Sequence, residues 1–304
     1  MSNNKAPWQP LHDWLRKRHP GFAEKLPAFI ALTRADRPIG ILLLLWPTIT
    51  ALWIAGEGSP DVALVFIFVL GTAVMRSAGC CINDYADYNI DHKVARTKDR
   101  PLASGLLTRQ DALYCFAVLS LVGLVLVLLT NHFTILLSLG AVLVIALYPF
   151  MKRFTNLPQV VLGVAFSWGI LMAFSAQTNA LPVQAWLLFV ANILWTVAYD
   201  TEYAMVDREY DREIGVKSTA ILFGDMDRFF IGTLQAMFVL ALWFVGRQLQ
   251  LGFFFNLALL AATALLIYQQ YLIRNRLPGP SFKAFLNNNW VGLAIFAGVV
   301  LSYV

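Results

Sequence analysis

Charge is scarce in this chain. Of its 304 residues, 13% are Asp, Glu, Lys or Arg and 59% are hydrophobic, whereas a soluble domain carries about 25% charged residues. That balance, with a mean hydropathy of +0.64, excludes an ordinary water-soluble domain. Cysteine is nearly absent too. Cys80, Cys81 and Cys115 all fall inside apolar runs, which excludes a disulfide framework and makes them small packing residues. The four histidines, His12, His19, His92 and His132, are scattered, so no Cys/His zinc pattern exists. No GxxxxGK[ST] phosphate loop and no credible Ser–His–Asp arrangement is present either. Asp87, Asn89 and Asp91 match the first three ligand positions of an EF-hand loop. The required glycine is His92 and the required glutamate is Lys98, which excludes that calcium site.

What fills the chain instead is apolar sequence, in runs long enough to cross a bilayer, which takes roughly 20 helical residues. Nine spans are expected, over 39–56, 62–83, 111–129, 133–150, 158–177, 182–203, 229–246, 252–273 and 287–304. The runs are continuous and do not alternate, so they predict helices, not a barrel. The fold expected is all-α, a polytopic membrane bundle of about nine transmembrane helices.

Basic residues orient it. The arm 1–38 carries Lys5, Arg16, Lys17, Arg18, Lys25, Arg34 and Arg37, and the even-numbered connections hold nearly all the rest. Of the odd connections only the one with Arg247 is basic, and Arg76 lies inside a span, where it needs an acidic partner or a wet cavity. The positive-inside rule then puts the N-terminus and the even connections in the cytoplasm and the C-terminus outside. The net charge of +5 therefore reports topology and does not argue for nucleic acid. The first 38 residues show no secretory signal, and 26–38 predict a short interfacial helix. Two regions are expected: a cytoplasmic arm, 1–38, and a transmembrane domain, 39–304.

Against this background one stretch stands out, INDYADYNIDHKVARTKDRP at 82–101. Asn83, Asp87 and Asp91 are four apart and share a face if the helix continues, while Asp84 starts on a neighbouring one. A second ladder, Tyr199, Tyr203, Asp207 and Asp211, stands at the corresponding end of the sixth span. Asp87 and Asp207 are separated by 120 residues and four crossings, and Lys98 and Lys217 follow their ladders at similar distances, a weak four-helix pseudo-repeat. Facing carboxylates repel unless a cation sits between them. Their hard oxygens suit magnesium, which commonly bridges one or two carboxylates to substrate phosphates, and the cations behind each ladder suit the remaining phosphate charge.

NDYADYNID fits NDxxDxxxD and DREYD fits DxxxD. With nine expected helices, these motifs resemble the UbiA superfamily of intramembrane aromatic prenyltransferases. The stretches 33–48, 96–105, 148–153 and 199–224 look like its 4-hydroxybenzoate polyprenyltransferase branch, so the resemblance runs from Thr33 onward. It implies a magnesium-dependent (Mg2+) enzyme joining a polyprenyl diphosphate to an aromatic acid, 4-hydroxybenzoate in this branch, for ubiquinone biosynthesis. Asn83, Asp87, Asp91, Asp207 and Asp211 then correspond to the magnesium–diphosphate ligands. Tyr203 stands where many relatives hold Asn, and Asp84 and Asp200 take supporting places. Arg100, Lys152, Arg153 and Lys217 correspond to diphosphate-binding cations, and Arg37 to a basic residue serving diphosphate or the benzoate carboxylate. Tyr148, Tyr199 and Tyr203 are candidates to face an allylic cation. The segments 92–110 and 212–228 are expected to cap the site on the cytoplasmic side, with the isoprenoid tail among membrane lipids. Since the N-terminal arm has no Arg/Ser-rich transit pattern, a bacterial inner membrane is the expected location. The alternatives are a relative with another aromatic acceptor, a secondary transporter whose acids couple ions, and a lipid-binding scaffold, the last of which leaves the paired acids without a role.

Overall fold

The computed structural model describes residues 20–92, 97–213 and 215–304. The side chains of Pro20, Phe22, Ala23, Ile90, Asp91 and Lys152 lie outside that description, as do Lys93 and Arg96. The helices are α1 (Pro20–Leu32), α2 (Ile39–Ala55), α3 (Val62–Ala86), the short α4 (Tyr88–Asp91), α5 (Arg109–Leu128), α6 (His132–Phe154), α7 (Pro158–Thr178) and α8 (Val183–Glu213). After them come α9 (Thr219–Phe223), α10 (Asp227–Gln248), α11 (Phe253–Leu272) and α12 (Pro278–Ser302). No strand occurs among the described residues.

Eight of the described helices are long and apolar enough to cross a membrane, and α2, 17 residues long, is shorter but uncharged. They match the nine expected spans, and the chain is an integral membrane protein. Three ends differ from expectation, the first being the start of α12 at Pro278 where the ninth span was expected from 287. The sixth span was expected to stop at 203, but α8 continues to Glu213 because hydropathy ends at the membrane and helix propensity does not. The helix near the N-terminus covers 20–32, not 26–38, and gives way to a turn at Thr33–Asp36.

Packing divides the chain into two compact units, one within Met1–Pro38 and Val74–Leu121, the other comprising Ile39–Ala73 and Val122–Val304. In the first, Leu32, Cys81, Leu102, Leu107 and Ala112 form a core, each at most 2% exposed. Its loop is closed at α5 by a reciprocal cap. Asp111 Oδ2 accepts from the Thr108 N–H at 2.9 Å, and Thr108 Oγ1 accepts from the Asp111 N–H at 3.1 Å. Lys25 Nζ reaches the same carboxylate at 3.1 Å, tying α1 to the start of α5.

In the second unit, Ile170, Trp195, Val245, Phe255 and Val291 from four helices and the end of α10 build the core. Small residues allow its closest approaches: a Cβ on Gly298 of α12 would fall 2.2 Å from the Ala258 Cβ of α11. Gly58, at φ +86°, turns the chain between α2 and α3, where a side chain would strike the Tyr303 ring. Asn131 caps α6 by accepting from the Thr134 N–H at 2.9 Å, and its amide donates at 2.6 Å to the Ser175 carbonyl near the end of α7. Large apolar side chains such as Leu139, Leu260 and Phe253, 66%, 67% and 73% exposed, face outward. In water such a surface would aggregate; against acyl chains it is solvated.

Candidate active site

The first motif closes α3. The Asp87 N–H still donates to the Asn83 carbonyl at 2.9 Å, and the Asn83 amide donates to Asp87 Oδ2 at 3.2 Å, so these two rungs share one face. The α-helix proper ends at Ala86, and α4 resumes after a turn at Asp87, so the first ladder does not stand on one unbroken helix. The Asp91 side chain lies outside the described residues. Asp87 is 4% exposed and Asp84 1%.

Asp84 is fully engaged. Arg34 Nη2 donates to both its oxygens, at 2.9 and 2.8 Å, and Arg100 Nη1 donates to Oδ1 at 3.0 Å. This carboxylate therefore clamps the turn after α1 and the loop before α5 onto the motif helix, and it also orients Arg100. Arg34 was not singled out from the sequence; a lone arginine after a helix carries no signal of its partner 50 residues away. Arg37 is turned outward, its side chain 80% exposed and its Nε 3.3 Å from Asp36 Oδ2.

The second motif rides on the uninterrupted α8. Tyr199 is 2% exposed, edge-on to Trp195 at 5.4 Å. Tyr203 packs on Phe285 at 4.9 Å between ring centres, and Tyr203, Asp207 and Asp211 are all half-buried. A four-residue step advances about 400° around a 3.6-residue helix, so each rung is rotated by about 40° from the last. The ladder therefore winds from the bundle interior at Tyr199 toward the open end at Asp211.

Behind this face lies a polar network that spacing did not reveal. Glu202, fully buried, accepts from Asn288 Nδ2 at 3.1 Å and from Gln235 Nε2 at 3.3 Å. Gln235 also bonds Gln269 at 2.9 Å, and Trp195 Nε1 donates to Asn288 Oδ1 at 2.7 Å. One residue beyond Asp207, Arg208 pairs with the fully buried Asp227, which Arg276 Nε also contacts at 3.0 Å.

Among the expected cations, Lys217 Nζ reaches the Phe154 carbonyl at 3.4 Å, which brings it to the end of α6 beside Arg153. Arg153 is exposed, 5.8 Å over the Phe150 ring, and Tyr148 is half-buried against the core. The Lys152 side chain lies outside the described residues. The next two residues hold the Lys217 backbone in place. Ser218 caps α9, the Thr219 N–H donates to Gln159 Oε1 at 3.1 Å, and the Thr219 hydroxyl lies 2.7 Å from that of Thr201.

Among the described residues no three acidic, cysteine or histidine side chains converge as a ready-made metal cage. The motif side chains nonetheless offer oxygen donors with no thiolate or imidazole among them. That donor set fits a hard cation such as magnesium, which keeps water and substrate oxygens in its shell.

An all-helical membrane protein with an acid-rich motif on each of two helices is a member of a recognisable class. A model of the UbiA prenyltransferase family matches residues 44–294, and the chain belongs to that family. Its relatives include proteins named 4-hydroxybenzoate octaprenyltransferase. One from Ectopseudomonas mendocina (strain ymp) is 58% identical over 275 residues, covering 90% of this chain and 93% of that protein. Another, from Hahella chejuensis (strain KCTC 2396), is 56% identical over 282 residues, 93% of this chain and 94% of that one. Among solved structures, an apo UbiA homolog from Aeropyrum pernix K1 superposes with a TM-score of 0.77 at 23% identity, covering 87% of this chain and 98% of that one. A UbiA homolog from Archaeoglobus fulgidus bound to GPP and Mg2+ has a TM-score of 0.68 at 17% identity, with 91% and 99% covered. At those identities the likeness concerns the fold.

Proposed function

We propose that the protein transfers a polyprenyl group from a polyprenyl diphosphate to the ring carbon ortho to the hydroxyl of 4-hydroxybenzoate, releasing diphosphate, as a step of ubiquinone biosynthesis. The observation that carries this reading is the agreement of relatives named for that acceptor, 55–58% identical over at least 90% of this chain. In the reaction the allylic C–O bond breaks and its electron pair leaves with diphosphate. The phenol ring forms the new C–C bond, and the ring proton is lost from the same carbon.

Magnesium bound by Asn83, Asp87, Asp91, Asp207 and Asp211 would supply Lewis-acid stabilisation of the departing diphosphate. Arg100, Lys152, Arg153 and Lys217 take up the remaining phosphate charge, and the pairing of Arg100 with Asp84 supports a fixed orientation for that guanidinium. Arg37 serves diphosphate or the benzoate carboxylate. The faces of Tyr148, Tyr199 and Tyr203 stabilise an allylic cation by roughly 1–2 kcal/mol each, and Asp84 and Asp200 hold the motif helices. The capping segments exclude water that would otherwise capture the cation. The enzyme sits in a bacterial inner membrane, with the arm 1–38 and the motif-bearing ends cytoplasmic and the transmembrane domain 39–304 holding the isoprenoid tail among lipids; the distribution of Lys and Arg supports that sidedness.

The test is product formation from geranyl diphosphate and radiolabelled 4-hydroxybenzoate by purified protein, with magnesium and with EDTA. Magnesium-dependent prenylated benzoate is expected. Diphosphate release without benzoate product would move the acceptor to another aromatic, and no turnover with any aromatic acceptor would sink the reading.

A further inference from the structure

Helices α10 and α11 diverge on the outer side of the second unit and leave a groove of about 570 Å³ between them. One wall is Gly232, Ala236 and Leu240, at helical spacing of four, with Trp243 at the far end. The other is Gln270, Ile267, Thr263 and Leu259 of the antiparallel α11. From 232 to 243 the groove follows eleven helical rises, about 16 Å. That is about half of the roughly 30 Å hydrocarbon thickness, the depth of one leaflet.

Inside the groove the Thr263 hydroxyl donates to the Leu259 carbonyl at 2.8 Å, and the glutamines bond to one another. Gln270 Nε2 donates to Gln235 Oε1 at 2.9 Å, and Gln235 passes its own N–H to Gln269. The remaining wall is apolar, so an occupant of the groove is a hydrocarbon chain.

The mouth is different. Arg228 lies one turn before Gly232, and Arg274 about one turn after Gln270, so each caps one wall. Arg228 Nη1 donates to the Arg274 carbonyl at 3.4 Å, which brings the Arg228 guanidinium to the backbone at the end of the other wall. The Arg274 guanidinium lies 3.9 Å over the Tyr271 ring. Both arginines are exposed, and among the described residues neither pairs with a carboxylate, because the nearby Asp227 is taken by Arg208 and Arg276. Two exposed arginines, one at the end of each wall of a one-leaflet apolar groove, call for an anion carrying a single-leaflet chain. Basic pockets between membrane helices bind anionic headgroups on the same principle.

We propose that this groove is a binding site for an anionic phospholipid, one acyl chain lying between α10 and α11 and the phosphate resting on Arg228 and Arg274. The site is separate from the motif residues and goes beyond the transferase reading. Its test needs no turnover.

Detergent-purified, delipidated full-length protein is titrated with dioleoyl phosphatidylglycerol and with dioleoyl phosphatidylcholine, and lipid retention is counted by native mass spectrometry. The parent should hold one phosphatidylglycerol in clear preference to phosphatidylcholine. In Arg228→Gln/Arg274→Gln that preference should fall by roughly fivefold per arginine, the ratio equivalent to about 1 kcal/mol for each cation near an anionic surface. Gly232→Leu attacks the other half of the site. The nearest atom to a Cβ there is in the flexible Gln270 side chain, at 3.6 Å, so the larger residue is tolerated and projects into the groove. It should weaken retention of both lipids with the arginines intact. Equal retention of the two lipids by the parent, an unchanged preference in the double variant, or unchanged retention in Gly232→Leu would each overturn the proposal. One-for-one displacement of phosphatidylglycerol by a polyprenyl diphosphate would overturn it too, by making the groove a second prenyl site.

Discussion

At the scale of single residues, the first motif contains two adjacent kinds of aspartate. Asp84 accepts from Arg34 and Arg100, two side chains off the ladder, whereas Asp87 stands on the ladder face, where the Asn83 amide reaches it at 3.2 Å. The consequences of removing them should therefore separate. Asp84→Ala strands two arginines in a half-buried setting and should lower stability by about 3 kcal/mol, at the low end of the range for a broken buried pair because both guanidiniums reach water. Asp87→Ala should lower turnover by at least roughly 100-fold, because on the proposed magnesium role several kcal/mol of charge stabilisation would depart with the metal. Thermal melts check the first and turnover measurements the second. If Asp87→Ala turns over as fast as the parent, the division of roles is wrong.

At the scale of one element, α8 joins the motif to the core through a network whose direction is dictated by a single group. The Trp195 N–H can only donate, so Asn288 must present Oδ1 to it, and the Asn288 Nδ2 is then aimed at Glu202. Gln235 likewise gives Oε1 to Gln270, which leaves its N–H groups for Glu202 and Gln269. Both oxygens of Glu202 must accept. Glu202→Gln, conservative in shape, sets a donor against a donor and should destabilise by roughly 1–3 kcal/mol. Glu202→Gln with Asn288→Asp restores the alternation, since the new carboxylate would accept from both the Trp195 N–H and the new amide, and should recover part of that loss. An additive melting deficit in the double variant would show that the network has no such direction. None of this was legible in the sequence. Glu202 lies within motif text, but its partners are 33 and 86 residues away on other helices. The rungs were legible because a four-residue spacing is local, although their winding from the buried Tyr199 to the half-buried Asp211 needed the helix to be followed past the end of its apolar run.

At the scale of the whole molecule, the spans were legible because lipid demands long uninterrupted apolar helices. The parity of the crossings is the quantity most exposed to error. It rests on α2, whose 17 residues rise only about 26 Å, a few ångströms short of an average hydrocarbon core. The helix IGILLLLWPTITALWIA has no charge to anchor it at one surface, and a mismatch of that size is relieved by modest local thinning, so α2 should cross fully. If it does, the basic arm and Val304 lie on opposite faces, and the loops 97–108, with Lys98 and Arg100, and 274–277, with Arg274 and Arg276, share the cytoplasm with the arm. Full-length chain fused after Val304 to a reporter active only outside the cytoplasm should be active. Single cysteines placed at exposed Ser104 and Asn275, in a background with Cys80, Cys81 and Cys115 replaced by alanine, should resist a membrane-impermeant maleimide in intact cells and react once the membrane is opened. An active reporter with labelled loops would break the charge argument for those connections. A silent but stably expressed reporter, with both loops labelled in intact cells, would mean that an even number of helices crosses and that α2 lies short of the far surface.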